Sequence, residues 1–138
     1  MQAAILCAKL PHLEEWNNRR REIADLYKKE IHNEFVLHPT EMGYGRHAYH
    51  LYVIRVKNRM AFQIFLQQNG IETAIHYPIP VHLQEAYIDL GKKRGDFPVA
   101  ENLAEQIVSL PIYPELTNEE INYVCQIVNE FSPNGTGT

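Results

Sequence analysis

A chain of 138 residues with 45% hydrophobic and 22% charged content fits a single globular domain. Its net charge of -4 gives no basic footprint, which speaks against nucleic acid as a partner. Cys7 and Cys125 form neither a disulfide framework nor a metal-type pair, so a reducing cytoplasm is the expected compartment. Residues 1–10 are apolar but lack the basic start and small-residue cleavage site of a signal peptide. They are also far short of the roughly 20 residues that cross a bilayer.

Ala3, Ala4, Ile5, Leu6, Cys7 and Ala8 are apolar on every face of a helix, and such a helix needs cover all round. Pro11 marks a kink or a new first turn. From there Leu13, Trp16, Ile23, Tyr27 and Ile31 recur at helical spacing, with Glu14, Asn18, Arg19, Arg21, Glu22, Asp25 and Lys28 on the opposite face. The pattern predicts a long amphipathic helix to about Ile31. The arginine run 19–21 reads as a solvated face paired with nearby carboxylates, not as a phosphate patch.

Residues 35–37 form a short strand candidate closed by His38 and Pro39. A loop with Gly43 and Gly45 follows. Residues 47–57 predict the principal strand, with Tyr49, Leu51 and Val53 on one face and Tyr52, Ile54 and Val56 on the other. Both faces are apolar, so the strand is expected to be central and covered on both sides. His50 reads equally as a satisfied core histidine or as a site residue. Asn58 caps a helix over 59–69, with Phe62, Phe65 and Leu66 inward and Gly70 as its stop.

Residues 70–87, GIETAIHYPIPVHLQEAY, are the most informative stretch. Ile71, Thr73 and Ile75 alternate with Glu72, Ala74 and His76, which predicts a short strand ending in His76, Tyr77 and Pro78. Pro78 and Pro80 stiffen the exit, and His82 follows on the rigid segment. Rigid backbone carrying His, Tyr and His at a strand end suits a surface site on a concave face. The basic loop GKKRG at 91–95 reads as solvated. Asp96 is the expected cap of the next helix, with Pro98 in its first turn and Ala100, Leu103, Ala104, Ile107 and Val108 as its buried stripe. Residues 109–113 are extended and suit an edge. Thr117 and Glu120 form a capping box for a last helix carrying Ile121, Val124, Cys125, Val128 and Phe131. Residues 132–138 read as a frayed tail. One core is expected to join Trp16, Tyr27, Leu51, Val53, Phe62, Phe65, Leu103 and Ile107. The element order implies an α+β fold, a small antiparallel or mixed sheet packed by helices.

The chemistry legible from motifs is sparse. There is no G-x-S-x-G, P-loop or G-x-G-x-x-G. Seven histidines are present, but their spacing matches no usual metal-ligand pattern. Taken alone, the residues support an α+β domain with a His/Tyr-bearing surface turn.

Four blocks add a resemblance: QAAILCAKLPHLEEWNNRRREIADLYKKEI, YHLYVIRV, GIETAIHYPIPVHLQEAY and DFPVAENLAEQIVSLPIYPELTNEEI. In order and spacing they resemble the C-terminal part of the DegT/StrS family of sugar aminotransferases, pyridoxal-phosphate enzymes of the fold-type I class. The similarity runs from about Gln2 to Phe131. It implies the small domain of such an enzyme over 1–131, with 1–10 a remnant of the interdomain helix, a disordered tail over 132–138, and the N-terminal cofactor-binding large domain absent. The implied reaction moves an amino group from glutamate to a nucleotide-linked keto sugar, in amino-sugar or polysaccharide biosynthesis. Pyridoxal 5'-phosphate serves the full-length enzyme, a homodimer, and supplies the electron sink. None of Lys9, Lys28, Lys29, Lys57, Lys92 or Lys93 lies in a stretch resembling the Schiff-base site. The resemblance therefore assigns no catalytic, cofactor-binding or metal residue to this chain, and the chain alone is expected to be inactive and to bind no cofactor. It places His76 and Tyr77, with His82 third, at the sugar-nucleotide end of the cleft. The other implied partners are the large domain, glutamate and the nucleotide sugar, with no nucleic acid and no membrane. Two readings from other classes are a stand-alone α+β binding module and an interaction domain for a separately encoded catalytic chain.

Overall fold

The computed structural model describes residues 1–133. In chain order its elements are α1 (Gln2–Lys9), α2 (Leu13–Glu30), β1 (Val36–Leu37), β2 (Tyr52–Val56), α3 (Arg59–Gln68), α4 (Pro98–Gln106), β3 (Ile107–Leu110) and α5 (Asn118–Glu130). Short 3-10 turns cover Leu10–His12, Val81–Leu83 and Glu85–Leu90. The expected α+β class is the observed one: helices packed on a three-stranded antiparallel sheet of order β1-β2-β3.

Alternation along β2 decides where the core lies. Tyr52, Ile54 and Val56 point to one face and are fully buried. Across β3, Ile54 pairs with Val108 and Tyr52 with Leu110, so these partners join the same face. Ile23 and Tyr27 of α2, Phe62 and Leu66 of α3, and Ile121, Val124, Cys125 and Val128 of α5 cover it, with Phe131 edge-on to Phe62 at 5.0 Å. Most of the eight residues expected to share one core do not do so. Tyr27 and Phe62 are members and Phe65 packs against the cluster, but Trp16, Leu51, Val53, Leu103 and Ile107 are only half-buried. The physical reason is that β2 is central but covered fully on one side only. Apolar residues on both faces do not reveal which face is sealed.

The helix ends follow local chemistry closely. Asn58 caps α3 by accepting from the Ala61 amide at 3.4 Å, and Gly70 stops it at φ +73°, a conformation that glycine adopts without strain. Thr117 and Glu120 form the expected capping box on α5. Asn33 closes the other end of α5 by donating to the carbonyls of Val128 and Phe131, both at 2.7 Å. Two arginines of the run are paired as read, Arg19 with Glu22 at 3.2 Å and Arg21 with Glu14 at 3.9 Å, whereas Arg20 has no carboxylate partner among the described residues and its Nε is buried unpaired.

Other boundaries shift. The strand expected over 47–57 is regular only from Tyr52, because Tyr49 sits at φ +45° and its amide bonds the His47 ring at 2.8 Å. The strand expected over 71–76 reduces to one bridge, Ala74 with Ser109. Asp96 does not cap α4: its carboxylate takes the Lys93 amide, and Phe97 stands at the cap position. Ala100 is exposed, and Ile107 and Val108 belong to β3, not to the helix. No residue of α1 is buried. The tail expected over 132–138 lies mostly outside the described residues.

The sealed face sets the first testable outcome. Phe62→Ala is expected to cost about 3–5 kcal/mol in urea unfolding. Val53→Ala, on the half-covered face, is expected to cost clearly less. Equal losses would show that the two faces of β2 are equally packed.

Candidate functional site

The site is built on the less covered side of the sheet, where the chain leaves α3. The Ile71 amide bonds the Leu66 carbonyl, and the Ala74 to Ser109 bridge then lays residues 71–76 along the free edge of β3, with hydrogen bonds of 3.3 and 2.8 Å. Thr73 accepts from Gln63 at 3.1 Å, which ties the segment to α3. Because Val53 pairs with Ser109, the Ser109 side chain falls on the face opposite the core. There its Oγ lies 2.9 Å from His76 Nδ1.

His76 lines a cleft of about 720 Å³ whose walls also carry His50, Thr73, Tyr113, Glu119 and Tyr123. His50, left open by the sequence, is exposed at this rim and is not a core residue. Tyr77 follows His76 through a cis peptide and is 71% exposed, with the two rings edge-on at 5.6 Å. Tyr77 opens a second, more apolar groove of about 580 Å³, shared with Ile79, Val81, Leu90 and Phe97. The turn thus has a cleft of mixed lining at His76, apolar walls with a few polar groups, and a more apolar groove at Tyr77, a combination that suits a ligand with polar and flat or apolar parts.

His82 occupies a different place. Its Nε2 lies 3.0 Å from Glu101 Oε1, both side chains are only 10% exposed, and its ring tilts over Phe97 at 4.7 Å. Glu101 also accepts the Gly95 amide at 2.9 Å and the Phe97 amide at 3.2 Å. The Gly95 bond leads among the causes that hold its carboxyl below the usual glutamate range, with Phe97 and His82 adding to it. One carboxylate therefore fastens the His82 turn, the basic loop and the start of α4 together. Sequence reading missed Glu101 and Ser109. The available signals were a carboxylate one turn into a proline-started helix and a lone hydroxyl within the apolar run Ile107–Leu110.

The DegT/DnrJ/EryC1/StrS aminotransferase family matches residues 1–129 of this chain. The chain belongs to that family. It is 45% identical over 131 residues to a dTDP-3-amino-3,6-dideoxy-alpha-D-galactopyranose transaminase of Aneurinibacillus thermoaerophilus, covering 95% of this chain and 36% of that protein. It is 35% identical to a dTDP-3-amino-3,4,6-trideoxy-alpha-D-glucose transaminase of Streptomyces venezuelae, covering 96% of this chain and 35% of that one. Among solved structures, DesV of S. venezuelae superposes with a TM-score of 0.90 at 36% identity, over 94% of this chain and 35% of that chain. A family member from Brucella abortus gives 0.83 at 34% identity, over 92% of this chain and 34% of that chain. The chain thus spans about a third of the length of the curated relatives it matches.

The DegT/DnrJ/EryC1/StrS family depends on pyridoxal phosphate in general. A Schiff-base site needs a lysine set in a formed pocket. All six lysines of this chain are exposed, and none lines the His76 cleft. Among the described residues no group of three or more His, Cys, Asp or Glu side chains could hold a metal ion, and no helix is long and apolar enough to cross a membrane.

Glu101 yields a signed pH prediction. A carboxylate depressed in the folded state stabilises the fold above its unfolded value, about 4.3, and that contribution fades as pH falls through the lower folded value. The melting temperature is expected to drop below about pH 4.3. Glu101→Gln is expected to melt lower than wild type at neutral pH and to show a shallower acid slope. A variant that matches wild type at both pH values would remove Glu101 from this role.

Proposed function

We propose that this chain forms the substrate-facing small domain of a pyridoxal-phosphate sugar aminotransferase, spanning residues 1–131. In this reading the enzyme transfers an amino group from glutamate to a nucleotide-linked keto sugar and works as a cytoplasmic homodimer. A large domain carries the lysine and the main cofactor contacts, and when bound the cofactor supplies the electron sink. The observation that carries the proposal is the His76 and Tyr77 turn beside an open cleft, in a chain 45% identical to a dTDP-amino-sugar transaminase.

The chain's own residues have separate tasks. His76 offers a ring nitrogen to an oxygen of the substrate. Tyr77 offers a largely exposed ring and hydroxyl over the apolar groove. His82, put forward by the sequence as a third contact, is engaged with Glu101 and is proposed to hold the turn in place. The apolar stretch 3–8 of α1, with Ile5 and Leu6 exposed, fits a helix covered by the rest of a longer enzyme.

The test uses a full-length aminotransferase whose C-terminal third is this chain. His76→Ala is expected to lower kcat/KM for the sugar half-reaction by about 10- to 150-fold, the loss of one hydrogen bond to a charged or strongly polar group. Tyr77→Phe is expected to lower it by about 2- to 10-fold. The glutamate half-reaction is expected to suffer less in both. Equal losses in the two half-reactions would assign the turn a purely structural role.

The chain alone is expected neither to bind pyridoxal phosphate at one site nor to transaminate. Orienting substrate against cofactor takes both walls of a cleft. Titration with the cofactor, borohydride trapping and peptide mapping check this. Scattered substoichiometric labelling of exposed lysines is the expected result. Stoichiometric labelling of one lysine together with amino transfer from glutamate would mean that the chain is an enzyme by itself.

A further inference from the structure

His38 and His76 each place Nδ1 on a hydroxyl, but they differ at the other ring nitrogen. His38 has Nε2 3.1 Å from the Ile31 carbonyl and Nδ1 2.9 Å from the Tyr52 hydroxyl. A carbonyl only accepts, so Nε2 carries the proton and Nδ1 accepts from the tyrosine. The ring is locked in one tautomer with no nitrogen to spare. His76 is held by a single hydroxyl, Ser109 Oγ at 2.9 Å from Nδ1. Its Nε2 has no protein partner among the described residues.

We propose that Ser109 is a positioning residue that holds the His76 ring over the cleft in every protonation form, so that Nε2 can serve as donor or acceptor. A serine hydroxyl both donates and accepts. With Nδ1 bare, Oγ–H donates to it and Nε2–H is offered to the cleft. With Nδ1 protonated, Oγ accepts and Nε2 offers its lone pair. In the cation, Oγ accepts again and Nε2–H remains a donor. No form leaves Nδ1 unpaired, so none gives the ring a reason to swing away.

The anchor is rigid enough for the task. Ser109 is 5% exposed, and its backbone is fixed on both sides by the Val53 pairing and the Ala74 bridge. Glu72, Glu119, Glu120, Tyr113, Tyr123 and His50 line the same cleft, so both donors and acceptors are at hand beside the ligand. Such a ring can meet a carboxylate or phosphate oxygen by donating and a hydroxyl or ammonium by accepting. The inference rests on His76 as the substrate contact proposed above, and it names the group that keeps that contact available to two unlike ligands.

The test is NMR on the histidine-labelled full chain. In wild type, proximity signals between the His76 ring and the Ser109 Hβ protons are expected to persist in the neutral and in the cationic form of the ring. In the neutral form, His76 nitrogen shifts are expected at averaged positions that report both tautomers, while His38 reports only the Nε2–H form. Ser109→Ala is expected to abolish the proximity signals and move the His76 nitrogen shifts, leaving His38 unchanged as the control for the fold. Ser109→Thr, which keeps the hydroxyl, is expected to restore the wild-type pattern. Three results would overturn the proposal: a single fixed His76 tautomer in wild type, a ring that departs from Ser109 on titration, or identical His76 spectra in Ser109→Ala. If the alanine variant does not fold, the wild-type titration and the threonine variant decide it. The result does not depend on substrate, so it can fail or hold separately from the half-reaction comparison.

Discussion

The antiparallel pairing of β2 with β3 is the constraint on which both core and site depend. Its register sends Tyr52, Ile54, Val108 and Leu110 to the sealed face, and thereby sends Val53 and Ser109 to the other. A slip of one residue would exchange the two sets. Ser109 would then lie on the core side, and His76 would lose its anchor. The apolar burial that stabilises the fold and the polar contact that orients the site are therefore two consequences of one register.

The buried polar groups explain why that register is well specified. The Tyr27 hydroxyl donates to the Pro111 carbonyl at 2.7 Å, just beyond β3, and burial pushes its ionisation well above the ordinary tyrosine value. Tyr52 likewise spans to His38. Burial also raises the Cys125 thiol, to about 11, so this sulfur behaves as a packing group with little thiolate character. Each buried hydroxyl has one partner at one place, and a shifted strand would leave it unpaired in an apolar surrounding. Hydrophobic area alone would tolerate several packings, and these bonds select among them.

Local signals in the sequence are more legible than spatial ones. The stop at Gly70, the cap at Asn58 and the box at Thr117 and Glu120 depend on residues within one helical turn, and all stand where the residue types placed them. The class, the long second helix and the turn at His76 were legible for the same reason. The sealed face of β2 was not, since Leu51 and Val53 are as apolar as Tyr52 and Ile54. Nor was the cap of α4, where Asp96 sat at a plausible position but Glu101, from within the helix, took the amides of Gly95 and Phe97. Ser109 lies 33 residues from His76 and Glu101 19 from His82, distances at which spacing carries no information.

That difference also explains the unlike fates of two histidines six positions apart. Both stand on the proline-stiffened segment and both are matched to an oxygen. His82 meets a carboxylate that can only accept and that already binds backbone amides, so its ring is committed to the fold. His76 meets a hydroxyl that is neutral and accepts or donates as required, so its second nitrogen stays available. Fixing the first allows the second to remain adaptable without the turn losing its shape. Between them Pro78 and Pro80 remove two backbone donors that would otherwise need partners at the exposed rim. The segment thus combines a stiff backbone with two rings, His82 fixed through Nε2 by a carboxylate that only accepts and His76 held through Nδ1 by a hydroxyl that accepts or donates.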